Sequence, residues 1–101
     1  MKFLALEHEK PASQASDFAP YLYEEARRAW KYYTAGVIRE LYFNADEHTA
    51  VLILECADTD EARRILNSLP LVEAGLIDFD IIPLAAYTGF SRLSGSEDNQ
   101  L

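Results

Sequence analysis

The sequence predicts an α+β domain in which two helices cover one face of an antiparallel, four-stranded sheet. Three observations carry this expectation. Residues 3–8, 37–43, 50–56 and 77–82 are short runs rich in aliphatic, aromatic and β-branched side chains, bounded by turn formers, as strands are. Residues 17–35 and 58–69 instead repeat apolar side chains every three or four positions, the period of a helix with one buried stripe. The polar, turn-like stretch 44–49 (Asn-Ala-Asp-Glu-His-Thr) joins the second and third strands as a hairpin, whereas each helix serves as a right-handed crossover. The order strand, helix, strand, strand, helix, strand is the ferredoxin-like βαββαβ arrangement.

Each element has its own justification. In the first strand Phe3 and Ala5 share one face, and Leu4 and Leu6 the other. Residues 9–16 form a polar loop punctuated by Pro11. Asp17 suits an N-cap, and Pro20 falls in the first turn, where its missing N–H costs little. Leu22, Ala26, Ala29, Trp30 and Tyr33 then make the apolar stripe of the first helix, with Glu24, Arg27, Arg28 and Lys31 on its outer side. Gly36 ends that helix in the left-handed conformation. Asp58 caps the second helix, and Glu61, three residues on, completes a capping box. Ala62, Ile65, Leu66 and Leu69 are its buried stripe, and Pro70 stops it. After a connector with Gly75 at its turn, Ile77, Phe79 and Ile81 point inward and Asp78 and Asp80 outward, until Pro83 ends the strand or marks an edge. Residues 1–93 thus make one domain with a C-terminal arm containing Tyr87, Phe90 and Arg92. Residues 94–101 are expected to be a disordered tail.

The first and third strands are apolar on both faces, so the sheet needs cover on its second face too. A second copy of the same sheet is the simplest cover. The expectation is a homodimer paired face to face and braced by the apolar arm, with further assembly left open.

The totals narrow the function. With 101 residues, half of them hydrophobic and 26% charged, the chain is a single folded domain with a modest core. A net charge of −8 repels phosphate backbones and anionic lipid, and the basic residues are interleaved with acids, so neither nucleic acid nor membrane is an expected partner. No run approaches the ~18 apolar residues of a membrane span, and a cytoplasmic location is the expectation. Cys56, the single cysteine, forms no intramolecular disulfide and reads as a small buried hydrophobe. No glycine-rich phosphate loop, nucleophile elbow or paired-cysteine motif is present, and no cofactor is expected.

Six residues are candidates for chemistry. Arg39 lies mid-strand among apolar and aromatic neighbours, and a buried guanidinium needs an anion. That anion is either a structural carboxylate, Glu55 or Glu7, or the carboxylate of a ligand gripped at two points. Glu40 points to the opposite face with Ile38 and Tyr42, either as an exposed acid or as a base whose pKa its apolar neighbours raise. His8 ends the first strand beside Glu7, where a strand end is either solvated or lines a pocket mouth as a general base. Trp30 and Tyr33 serve either as core or as the wall of a small-molecule pocket between helix and sheet. His48 lies in the hairpin loop with no second His or Cys at ligand spacing, so no metal site is expected.

Several of these stretches together resemble the muconolactone isomerase family of the dimeric α+β barrel superfamily. They are Gly36-x-x-Arg39-x-Leu41, Glu61-Ala62, Leu69-Pro70-Leu71 and Ile77-Asp78-Phe79-Asp80-Ile81, within a likeness that spans residues 18–90. The resemblance implies the same fold, including the face-to-face dimer, and proton transfer on a small lactone acid. Arg39 matches the family pattern and would hold the substrate carboxylate, while Glu7, His8 and Glu40 are candidate bases by chemistry. The first strand lacks the polar residues of the family enzymes, and Val37-Ile38 lacks the tryptophan that precedes their arginine. Two other classes stay open: a non-catalytic binding or assembly dimer, and a cofactor-independent monooxygenase acting on an aromatic substrate. A pocket beside Arg39 with a desolvated acid or histidine favours the isomerase. An aromatic pocket without one favours the oxygenase, and a filled interior favours the non-catalytic module.

Overall fold

The computed structural model describes residues 1–94, so the expected tail lies outside the described residues except for Ser94. Strands β1 (Lys2–Glu9), β2 (Ile38–Phe43), β3 (Ala50–Glu55) and β4 (Ile77–Pro83) form one sheet in the order β2-β3-β1-β4. Every neighbouring pair is antiparallel. This is the ferredoxin-like arrangement, with α2 (Leu22–Thr34) and α3 (Thr59–Asn67) as the crossover helices.

Register decides which side chains share a face. Phe3 pairs with Leu54, Ala5 with Leu52 and Ile81, and Glu7 with Phe79. These residues, with Ile77 and Ile38, face the helices, and most of them are buried. Leu4, Leu6, Val51 and Ile53 take the outer face and remain half-exposed, as does the more exposed Ile82. A β-bulge interrupts β2, because Ile38 opposes Leu54 while Glu40 opposes Ile53. The extra residue is Arg39. Parity changes across it, so Ile38 stays with the core while Glu40 and Tyr42 move to the outer face. Strict alternation groups Ile38 with Glu40 and Tyr42, and the bulge is what separates them.

The two helices attach differently. The second is α3, where the Asp58 carboxylate accepts the Glu61 N–H at 2.8 Å and Glu61 Oε1 accepts the Ala57 N–H at 2.6 Å. Ala62 and Leu66 bury completely against Phe3 and Leu54. Arg63 reaches across to Asp78 Oδ1 (3.1 Å) and the Phe79 carbonyl (3.2 Å), which pins α3 to β4. Asp58→Ala should cost about 1 kcal/mol, since it strips one orphan donor of its partner. Urea unfolding would read this as a lower midpoint at unchanged slope. Pro70 opens a further short helix, α4 (Pro70–Glu73), where the sequence suggested only a connector, and Gly75 follows with φ +78°.

The first crossover breaks into pieces. Gln14, not Asp17, is the N-cap of a four-residue helix, α1 (Ala15–Phe18), and Asp17 closes a capping box from the N3 position. A 3₁₀ turn containing Pro20 follows, and then α2. No side chain of α2 is buried: Leu22, Trp30 and Tyr33, expected to pack inward, are exposed. Tyr32 packs against the core, and the rest of the helix's attachment is polar. Glu25 Oε1 accepts the Leu71 N–H at 2.9 Å, Arg28 Nη1 donates to the Ser68 carbonyl at 3.0 Å, and the Tyr32 hydroxyl meets Ser68 Oγ at 2.6 Å. Residues 25, 28 and 32 lie on one face of the helix, so one edge of α2 is moored to the α3–α4 hinge while the rest stands off the sheet.

Beyond β4 the chain makes one more ladder-like bond, from the Leu84 N–H to the Lys2 carbonyl. Tyr87 and Phe90 then meet edge to face, with ring centroids 4.9 Å apart, and Tyr87, Phe90 and Leu93 remain largely exposed. Gly89 sits under the Tyr87 ring, where a Cβ would collide with it.

Candidate functional site

The gap between α2 and the sheet is a cavity of about 430 Å³. Its floor is Leu52, Ala50, Ile77 and Phe79, its roof Leu22, Ala26 and Ala29, and α4 closes one end with Leu69 and Leu71. Among the described residues, four titratable side chains reach it: Glu7, Glu9, Glu25 and His48.

Glu7 occupies the position where the inward alternation Phe3, Ala5 continues along β1, so the strand itself delivers its carboxylate to the cavity. Its Oε1 accepts the Ala50 N–H at 2.6 Å. Burial pushes the carboxyl above its ordinary range. The Ala50 N–H opposes that rise, Glu9 adds to it, and the two histidines pull against it. Glu25 comes from the opposite wall. Its carboxyl is also raised, first by burial and further by the charge of Glu7, with the Leu71 N–H and Arg28 opposing. Two desolvated carboxyls therefore share one largely apolar cavity, each anchored by a single backbone N–H. His48 stands at the hairpin edge with φ +59°, its ring stacked on Phe43 at 4.1 Å. Asn44 holds that turn by accepting the N–H groups of Asp46 and Glu47.

A more open groove of about 570 Å³ adjoins the cavity, and the two share Ala26, Ala29 and Leu41 as lining. Arg39, Trp30 and Tyr33 line this groove, as do Glu40 and Tyr42. The sequence suggested a buried Arg39 with a carboxylate partner. The bulge instead leaves it exposed, with Nε donating to the Gly36 carbonyl at 2.6 Å and no ion pair to either suggested acid among the described residues. Glu55 pairs with the N-terminal ammonium, which holds its carboxyl below the usual range. Trp30 and Tyr33 form a tilted ring pair 5.8 Å apart on the groove wall and contribute nothing to the core.

Of the three candidate bases, only Glu7 enters the cavity. His8 lies on the outer face, 3.5 Å from Asp80. Glu40 accepts the Tyr42 hydroxyl at 2.6 Å on the groove side, a bond that pushes the phenol pKa up. Glu25 and Glu9 reach the cavity though pattern reading singled out neither, and His48, weighed there only as a metal ligand, reaches it too. For Glu25 a signal existed: it falls three residues after Leu22 and four before Ala29, so the apolar stripe itself carries an acid. For His48 none did, because the register that turns its loop toward the cavity is set by distant strands.

A carboxyl whose pKa burial has raised is a better proton acceptor than an ordinary glutamate, and two in one cavity suit the uptake and return of a proton. The same burial has a stability signature. A carboxyl pKa raised by folding makes the native state bind more protons than the unfolded chain. Its stability is then greatest below the ordinary glutamate range and is lost as pH rises through the native value. Glu25→Gln retains the acceptor for Leu71 and removes the charge. It should melt higher than the parent at neutral pH, and the gap should close below about pH 4, where both side chains are neutral.

The family model described as muconolactone delta-isomerase matches residues 1–89. A solved muconolactone isomerase superposes with a TM-score of 0.70 at 16% identity, covering 99% of this chain and 100% of its own. A 5-chloro-2-hydroxyhydroquinone dehydrochlorinase from Burkholderia phenoliruptrix, solved with 2,5-dihydroxybenzoquinone, superposes with a TM-score of 0.68 at 16% identity, covering 88% of this chain and 98% of its own. No curated protein sequence matches the chain.

Proposed function

The chain belongs to the muconolactone delta-isomerase family, and from that premise we propose that it isomerises a small carboxylated lactone by intramolecular proton transfer. The observation that carries the reading is the cavity holding desolvated Glu7 and Glu25 beside a groove that presents Arg39. Glu7, as carboxylate, takes a proton from the ring carbon at the far end of the C=C bond conjugated with the lactone carbonyl. The C–H electron pair moves through that double bond onto the carbonyl oxygen, and a proton returns to the carbon next to the carbonyl. No atom is gained or lost, and no oxidant is needed. Arg39, whose terminal nitrogens carry no ion pair among the described residues, offers two-point contact to the ligand carboxylate. An open cavity with acids in it supports this chemistry over a filled, non-catalytic module. The dehydrochlorinase named above also acts on a small oxygenated ring.

The protein acts as a homodimer in this reading. Leu4, Leu6, Val51 and Ile53 form an apolar outer sheet face that a second copy would cover. Among the described residues no helix is long and apolar enough to cross a membrane.

The test is incubation of the protein with muconolactone in D₂O, followed by proton NMR. Conversion accompanied by solvent deuterium at the carbon next to the carbonyl is the expected result. Unchanged spectra with muconolactone and with related lactone acids would overturn the assignment.

A further inference from the structure

Arg39 and the acids Glu7 and Glu25 do not line the same space. The acids line the cavity and the guanidinium the more open groove beside it, and Ala26, Ala29 and Leu41 are lining common to both. Ala26 and Ala29 lie one helical turn apart on α2, and neither carries more than a methyl group. We infer that these two alanines form a neck through which the ligand passes, and that the ligand class is an elongated planar acid. Its carboxylate rests on Arg39 in the groove, and its uncharged ring system extends into the cavity as far as Glu7.

Three features support this. First, an anion is disfavoured beyond the neck, because the cavity already holds acids whose charged forms burial penalises. The charged end of a ligand therefore belongs outside, where Arg39 is exposed and, among the described residues, is tied through Nε to the Gly36 carbonyl. Glu40 in the same groove is engaged by the Tyr42 hydroxyl. Second, Trp30 and Tyr33 give the groove an aromatic wall, and the cavity beyond is mostly apolar, so both compartments suit ring faces. Third, α2 is moored through residues 25, 28 and 32 and buries no side chain, so the passage beneath it is not filled from above. Placing the reacting carbon at Glu7 rests on the proton-transfer reading, whereas the binding geometry does not.

The experiment compares benzoate with biphenyl-4-carboxylate on the ¹⁵N-labelled full-length protein. The Ala50 and Leu71 amides, which donate to Glu7 and Glu25, report the cavity, and the Tyr42 amide reports the groove. Biphenyl-4-carboxylate should shift all three, and benzoate should shift Tyr42 more than Ala50 and Leu71. Ala29→Leu and Ala26→Leu both keep a good helix former and fill the neck. Either should weaken biphenyl-4-carboxylate by about tenfold or more, a difference of ~1.4 kcal/mol or above, and weaken benzoate by less. Arg39→Gln should weaken both ligands. The inference is overturned if biphenyl-4-carboxylate leaves Ala50 and Leu71 unshifted, or if both leucine variants bind it as the parent does. A protein that binds in this way yet leaves lactone acids unconverted keeps the neck and loses the isomerase assignment.

Discussion

Glu7→Gln is expected to lower kcat on a lactone acid by about 10²–10⁴-fold, the usual contribution of a positioned general base. The argument is local. Glutamine has the size and shape of glutamate and can still accept the Ala50 N–H, so β1 and β3 keep their contact. What it cannot do is take up a proton. KM should change little, because the ligand carboxylate is held at Arg39 in the neighbouring groove, and Arg39→Gln should instead raise KM. The pH profile provides a second reading. Since burial raises the Glu7 carboxyl, the acidic limb of kcat/KM should lie above the ordinary glutamate range and should be absent in the variant. If Glu7→Gln retained parental turnover, with Glu25→Gln inactive instead, the base would be on α2 and not on the sheet.

The largest effect on stability is expected at Leu66. It is fully buried on α3 among Phe3, Leu54 and Ala62, all likewise inaccessible. Leu66→Ala should therefore cost about 2–5 kcal/mol, combining lost transfer energy with the cavity left behind. For a domain of this size each kcal/mol moves Tm by roughly 4–8 °C, so a fall above 10 °C is expected in a thermal melt. The informative control is Leu22→Ala on the other crossover helix. Leu22 is 52% exposed and roofs an open cavity, so its truncation should change stability by less than about 0.5 kcal/mol. Equal losses at both positions would mean that α2 packs on the sheet in solution and that the cavity is closed.

That contrast also marks how much could be seen in the chain beforehand. The strands, their order and the second crossover helix were legible, because burial patterns of period two and period 3.6 are local signals and Asp58 with Glu61 marks a helix start. The first crossover misled for a physical reason. An apolar stripe says that a helix face avoids water, but not whether it meets side chains or lines a void. Leu22, Ala26 and Ala29 line a cavity, and Trp30 and Tyr33 wall a groove, so core and pocket share one sequence signature. The site was half legible. Glu7 follows from alternation along β1, and Arg39 from its being a charge in an apolar strand. That Arg39 is exposed depends on a bulge that nothing in residues 37–43 announces, since the mismatch exists only against the register of β3.

The bulge behaves as a reading frame for β2. Upstream of it, Ile38 is committed to the interior, and downstream every side chain takes the opposite assignment from the one an unbroken strand would give it. Sliding the irregularity by one position, or deleting it, would reassign the side chains that follow between the cavity and the far side of the sheet, leaving Phe3, Leu54 and Leu66 in place. At this edge strand, a one-residue insertion or deletion is thus a route to a new ligand that no single substitution in the cavity reproduces.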